Sequence, residues 1–180
     1  MMDLSGLIDI LRGLPAYPFL LRRLQGAVTP PSDIEGLSVL RAARAFVAAG
    51  LALDTKRPLV LVSARQDRVY NLAEQLVAWS PELSVLTYAE PGPLFYETNS
   101  WGREAIRARL QVLADLSTGS QPGTVIVTSA RALMQRTLLP EVMRAQSMVL
   151  EGRRPVGSDP SHLLRQWLSV GYEPATVVTE

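Results

Sequence analysis

The amino-acid sequence predicts an α/β fold in which a buried parallel sheet is flanked by helices over about residues 29–130. Three runs of strand length carry this reading: "PLVLVSA" (58–64), "SVLTYAE" (84–90) and "TVIVTSA" (124–130). Each is almost continuously apolar, so both faces of the strand need cover, and each is separated from the next by a single stretch with helical periodicity. That alternation is what right-handed crossovers between parallel strands require.

Taken in order, residues 3–13 and 15–25 read as two short helices parted by Gly13 and Pro15, forming an extension over residues 1–28 that packs on something else. Pro30 and Pro31 break the chain. Leu37, Leu40, Ala43, Phe46, Val47 and Leu51 then recur at helical spacing. The helix after the first strand, about 66–79, aligns Val69, Leu72, Leu76 and Trp79. The helix after the second, about 101–117, aligns Ile106, Leu110, Leu113 and Leu116. Beyond residue 130 the texture changes to that of a small α+β domain over 131–180. "RALMQRTLLP" reads as a short helix stopped by Pro140, "SMVLEG" as a strand, "SHLLRQWLSVG" as a helix and "EPATVVTE" as a last strand. A chain that stops directly after a strand-like run is expected to be a piece of a longer protein.

Composition narrows the chemistry. A hydrophobic content of 47% and a mean hydropathy of +0.12 belong to a chain with a buried core. Eighteen basic against seventeen acidic residues leave a formal charge of +1, so no whole-chain field favours nucleic acid. There is no cysteine and one histidine, His162, which removes disulfides, thiolate zinc sites and Cys-His pairs and fits a reducing cytoplasm. No apolar run is long enough to span a membrane, and the first 25 residues do not read as a signal peptide.

The stretch "SDIEGLSVLRAARAFVAAG" (32–50) has the layout of a phosphate loop, with Gly36 and Ser38 in the general place where backbone amides would wrap phosphates. The Gly-Lys-Ser/Thr that grips the terminal phosphate is missing. The one lysine, Lys56, precedes a strand with no glycine loop around it, and Arg41 and Arg44 read as one to two turns into the helix. The strand ends offer Ser63, Thr128 and Ser129 where a magnesium-binding acid would stand, and Glu151 reads as a solvated turn residue. His162 falls in a helix start capped by Ser158 or Asp159, with Pro160 in the first turn. No carboxylate pair, catalytic triad or metal set is present, and no cofactor is expected. The loop "EPGPLFYETNS" (90–100) follows a strand's carboxyl end, where α/β folds bind ligands, but its Leu94, Phe95 and Tyr96 also suit simple anchoring. Arg153 and Arg154, near Arg144, form a basic turn suited to carboxylates of a partner.

The order of several strings resembles the amino-terminal region of bacterial transcription-repair coupling factors, the Mfd family, and more distantly UvrB. The strings are "PLVLVSARQDRVYNLAEQL", "PLFYETNSWGREAIRARLQVLADL", "TVIVTSARALMQRTLLP" and "LLRQWLSVGYEPATVV", together spanning about residues 29–180. The resemblance implies a degenerate RecA/P-loop-like first domain over 29–130, whose phosphate loop has decayed, and the start of a UvrA-binding second domain over 131–180. It implies that Arg154, with Arg153 as the close alternative, contacts UvrA from the Gly152-Arg153-Arg154 turn, with Tyr172 in the second contacting turn. The family's basic position at that second turn is replaced here by Glu173 and Pro174. It also implies that ATP-driven translocation on DNA and contact with RNA polymerase belong to other domains of the parent protein.

Three functions are thus expected to compete: a non-catalytic module that recruits UvrA, a nucleotide-binding lobe using Arg41 in an unorthodox loop, and a DNA-contacting helicase lobe. The missing lysine favours the first, and the near-zero charge weighs against the last.

Overall fold

The computed structural model describes residues 4–26, 38–92, 101–148 and 159–175. The chain divides into two compact units, Met1–Leu138 and Leu139–Glu180.

The first unit opens with a 3-10 turn at Ser5–Leu7 that runs into α1 (Ile8–Arg12), followed by α2 (Ala16–Gly26). After a second 3-10 turn, Arg41–Ala43, comes α3 (Arg44–Thr55). Then β1 (Leu59–Ser63), α4 (Gln66–Trp79), β2 (Ser84–Tyr88), α5 (Arg103–Thr118), β3 (Thr124–Ser129) and α6 (Ala130–Leu133) complete it. The three strands form a small open parallel sheet in the order β1-β3-β2, with Leu59 opposite Val125 and Ser84 opposite Thr124. β3 is central and all six of its residues are buried. Its alternation sends Val125 and Val127 into a core with Ala48, Ala49 and Ala52 of α3, Val69 and Leu76 of α4, and Ile8 of α1. Ile126 faces the other way, against Tyr88, Val112 of α5 and Ala132.

The strands fall within the ranges read from the sequence, but cover of the sheet is uneven. Leu59 and Leu61 of β1 pack on the α3–α4 side, whereas Val60 and Val62 are 50% and 54% exposed. α5 lies over β2, leaving this outer face of β1 open. α3 also begins later than its apolar spacing predicts. Leu40 has extended backbone (ψ 138°) and is 83% exposed, so the helix buries Ala45, Ala48, Ala49 and Ala52 rather than a face running from Leu37. Small residues let α1 and α2 approach closely: a Cβ added at Gly50 would stand 2.5 Å from Leu11 Cδ2 and 3.2 Å from Tyr17 Oη. α3 ends at Lys56, which takes the left-handed conformation (φ 55°) usually left to glycine.

In the second unit Pro140 does not stop a helix. It occupies the first position of α7 (Pro140–Gln146), where its missing N–H costs nothing, while α6 has already ended at Leu133. α8 (Pro160–Ser169) starts as the sequence predicts, with Asp159 as N-cap accepting from Ser161 N at 3.3 Å and Pro160 following. It closes through Gly171 (φ 95°): Gly171 N donates to Leu168 O and Tyr172 N to Trp167 O, the paired bonds of a Schellman cap. Of the expected strand 147–152, Ser147 and Met148 are irregular and the rest lies outside the described residues; so does most of 173–180.

Candidate functional site

Of the residues that the sequence marks for partner contact, Tyr172 is described and Gly152, Arg153 and Arg154 lie outside the described residues. Tyr172 is 67% exposed, and the Schellman bond to its main chain fixes where its ring leaves the end of α8. Exposed apolar residues Leu164, Trp167 and Leu168 lie along the same helix.

Of the two residues that the sequence suggests for a degenerate phosphate loop, Gly36 is outside the described residues and Ser38 is exposed, in non-helical chain ahead of the 3-10 turn. The structure corrects the expected position of the arginines. Because helix starts only at residue 41, Arg41 opens the 3-10 turn and Arg44 is the first α-helical residue, both exposed, instead of lying one to two turns inside.

The polar groups that the fold does bring together stand at the carboxyl edge of the sheet; the sequence marks Thr128 and Ser129 among them only as strand-end residues, and does not mark Arg109 or Arg131. Ser129, the last residue of β3, accepts from Ala132 N at 3.0 Å as the N-cap of α6 and donates to Glu90 Oε2 at 3.0 Å. Arg131 pairs with the other oxygen of Glu90 at 2.8 Å. Thr128 Oγ1 donates to Tyr88 O at 3.0 Å. Both oxygens of Glu90 are thus engaged and the contacts tie the end of β2 to the end of β3, although Arg131 Nη2 is buried without a partner.

Arg109 is the outstanding member. It sits on α5 at 3% exposure, where its Nη1 donates to Ala89 O and to Ala132 O, each at 3.1 Å. Its guanidinium carbon lies 4.0 Å from the Tyr88 ring centre and 4.9 Å from that of Trp101, two cation–π contacts. Burial holds its pKa below the ordinary guanidinium range, with the Tyr88 hydroxyl opposing that shift. Among the described residues no carboxylate pairs with it, and its Nη2 is buried without a hydrogen-bond partner.

Arg109 also explains why the leucine stripe of α5 fails as a guide to burial. Ile106, Leu110 and Leu116 are 38–47% exposed, whereas Arg109 and Val112 face inward. The carbonyls of Ala89, just past β2, and of Ala132, in α6, accept from the guanidinium, and the helix turns to follow it. Beside it opens a groove of about 340 Å³, walled by Trp101, Ile106, Leu110, Leu113 and Leu138, with Arg109 and Arg136 as its cations. The only sequence signal for this site is an arginine three residues after Ile106, inside an apolar periodicity.

Among the described residues no cluster of histidine, aspartate or glutamate could hold a metal ion, and no helix is long and apolar enough to cross a membrane. No protein-family model matches the chain, and a search of curated proteins finds no match.

Proposed function

We propose that this chain is the amino-terminal module of a bacterial transcription-repair coupling factor: a degenerate RecA/P-loop-like lobe followed by the start of a UvrA-binding domain. In this reading it is non-catalytic and recruits UvrA for nucleotide excision repair at stalled RNA polymerase, in the cytoplasm. The ATP-dependent translocase, with its contacts to DNA and polymerase, resides in other parts of the parent.

One observation carries the reading. The strings that resemble the coupling factors fall on successive strand–helix units of one parallel sheet, β1–α4 and β3–α6, with α5 between them. The polar groups at the carboxyl edge of that sheet support its non-catalytic part, because the Glu90 carboxylate is spent on Ser129 and Arg131 and the Ser129 hydroxyl on Glu90 and the start of α6. In the proposed interface Arg154 and Arg153 meet carboxylates of UvrA, and Tyr172 adds an aromatic anchor.

A pull-down of purified UvrA with this chain tests it. The wild-type chain is expected to retain UvrA, and Arg153→Ala/Arg154→Ala to weaken retention about tenfold or more, as loss of a desolvated charge pair does. Undiminished binding by the variant rejects the site. No binding by the wild type rejects the function.

The position of Arg41 and Arg44 at the very start of the helical segment favours a second reading, a nucleotide-binding lobe in which Arg41 replaces the missing lysine. It requires heat on titration with ATP and magnesium, abolished by Arg41→Ala. A flat titration at millimolar ATP eliminates it.

A further inference from the structure

We propose that the groove beside α5 is a binding site for a small organic carboxylate with an apolar or aromatic body, seated with its charge on Arg109. The inference does not depend on the UvrA reading and concerns a different part of the chain.

Buried guanidinium groups are normally matched by a carboxylate or by a full set of hydrogen-bond acceptors, because an unpaired N–H away from water carries its whole desolvation penalty. Arg109 has neither. Nη1 is spent on Ala89 O and Ala132 O, while Nη2 is buried and unpartnered. Glu90, the nearest acid in sequence to those carbonyls, is already engaged by Ser129 and Arg131. The site therefore holds a positive charge and an unused donor, and the acceptor it fits is an anion from outside.

The surroundings define the rest of that ligand. The groove has the volume of a small ligand pocket, and its walls, Ile106, Leu110, Leu113 and Leu138, are aliphatic. A bare inorganic anion would leave those walls wet, and an uncharged hydrocarbon would leave Nη2 unpaired. Trp101, whose ring centre lies 4.9 Å from the guanidinium carbon, also lines the groove. The carboxylate reaches Nη2 by displacing the indole, and Arg136, exposed at the rim, adds a second positive charge. The location agrees with the general preference of open α/β sheets for ligands outside the carboxyl ends of their strands.

The test is a nitrogen-15 NMR titration of the full chain with 4-phenylbutanoate, with 4-phenylbutanamide and inorganic phosphate as controls. Saturable shifts are expected at the Trp101 indole N–H and the Ile106 and Leu110 amides with the carboxylate, and not with either control. Arg136→Glu, on an exposed side chain, should weaken binding about fivefold or more. Arg109→Gln should abolish it. If that variant loses its folded spectrum, Arg136→Glu decides alone. The absence of a saturable shift at millimolar carboxylate overturns the proposal. So does equal binding of the amide, or an unchanged affinity in Arg136→Glu.

Discussion

Tyr17 Oη donates to Asp54 Oδ2 at 2.8 Å, joining α2 to the last turn of α3. The same carboxylate accepts from Arg12 Nε at 3.1 Å and Nη2 at 2.7 Å, and Arg12 reaches Asp9 as well. One acid thus fastens both helices of the amino-terminal extension. Leu11, Tyr17 and Leu51 form the apolar part of the same junction.

This clamp should make stability depend on pH at both extremes. Burial works to raise the Asp54 pKa, but hydrogen bonds from Arg12 and Tyr17 and the charge of Arg12 outweigh it and hold the value below normal. Its contribution is therefore present above the unfolded carboxyl value of about 4 and lost as the pH falls through the lower folded value. Burial, then the bond to Asp54, raises the Tyr17 phenol. That contribution is complete below about pH 10 and lost as the pH rises beyond it. Urea unfolding across the pH range should show both declines, and Tyr17→Phe should flatten the alkaline one while costing about 1 kcal/mol at neutral pH. An alkaline limb unchanged in Tyr17→Phe contradicts the assignment.

Gly50→Ala sets two opposing effects against each other. Alanine gains about 1 kcal/mol of helix propensity over glycine. Its Cβ, however, meets the buried Leu11 side chain at 2.5 Å, and overpacking costs about 1–3 kcal/mol. A net loss is expected, together with faster amide exchange over residues 8–21. Protection in that segment equal to the wild type would show that Leu11 yields freely.

Two threonines on one face of β3 should respond with opposite sign to the same change. Thr128 Oγ1 bonds Tyr88 O, so Thr128→Val should lower stability by about 1 kcal/mol. Thr124 Oγ1 is buried without a partner, so Thr124→Val should raise stability by about 1 kcal/mol. Denaturant midpoints that shift in the same direction refute the distinction.

Lys56→Gly should stabilise the chain by about 0.5–1 kcal/mol, because glycine takes the left-handed conformation without the Cβ strain that lysine carries there. A lower thermal midpoint would mean that the lysine side chain contributes more than the strain it incurs.

The sheet was legible because its strands are short apolar runs whose ends are set by turns, and the parallel order follows from single helices between them. Helix α8 was legible through Asp159 and Pro160, whose capping chemistry is local. What escaped was decided by distant partners. Arg109 turns inward because carbonyls of Ala89 and Ala132 meet it 20 and 23 residues away. Leu40 fits the helical spacing yet stays outside the helix, since periodicity marks a face but not where winding begins. Pro140, read from the sequence as a helix stop, opens a helix instead, because proline suits a first turn as well and the chain around it decides. The carboxyl-edge cluster of Glu90, Ser129 and Arg131 has no motif because its members come from two strand ends.

Lys56 is the only lysine in the chain and lies exposed between α3 and β1. A lysine-specific protease thus has one peptide bond to cut, and it would part the amino-terminal helices from β1, β2 and β3. Ala48, Ala49 and Ala52 on one side of that bond share their core with Val125 and Val127 on the other. The two products of a single nick should therefore co-elute under native conditions and separate only in denaturant.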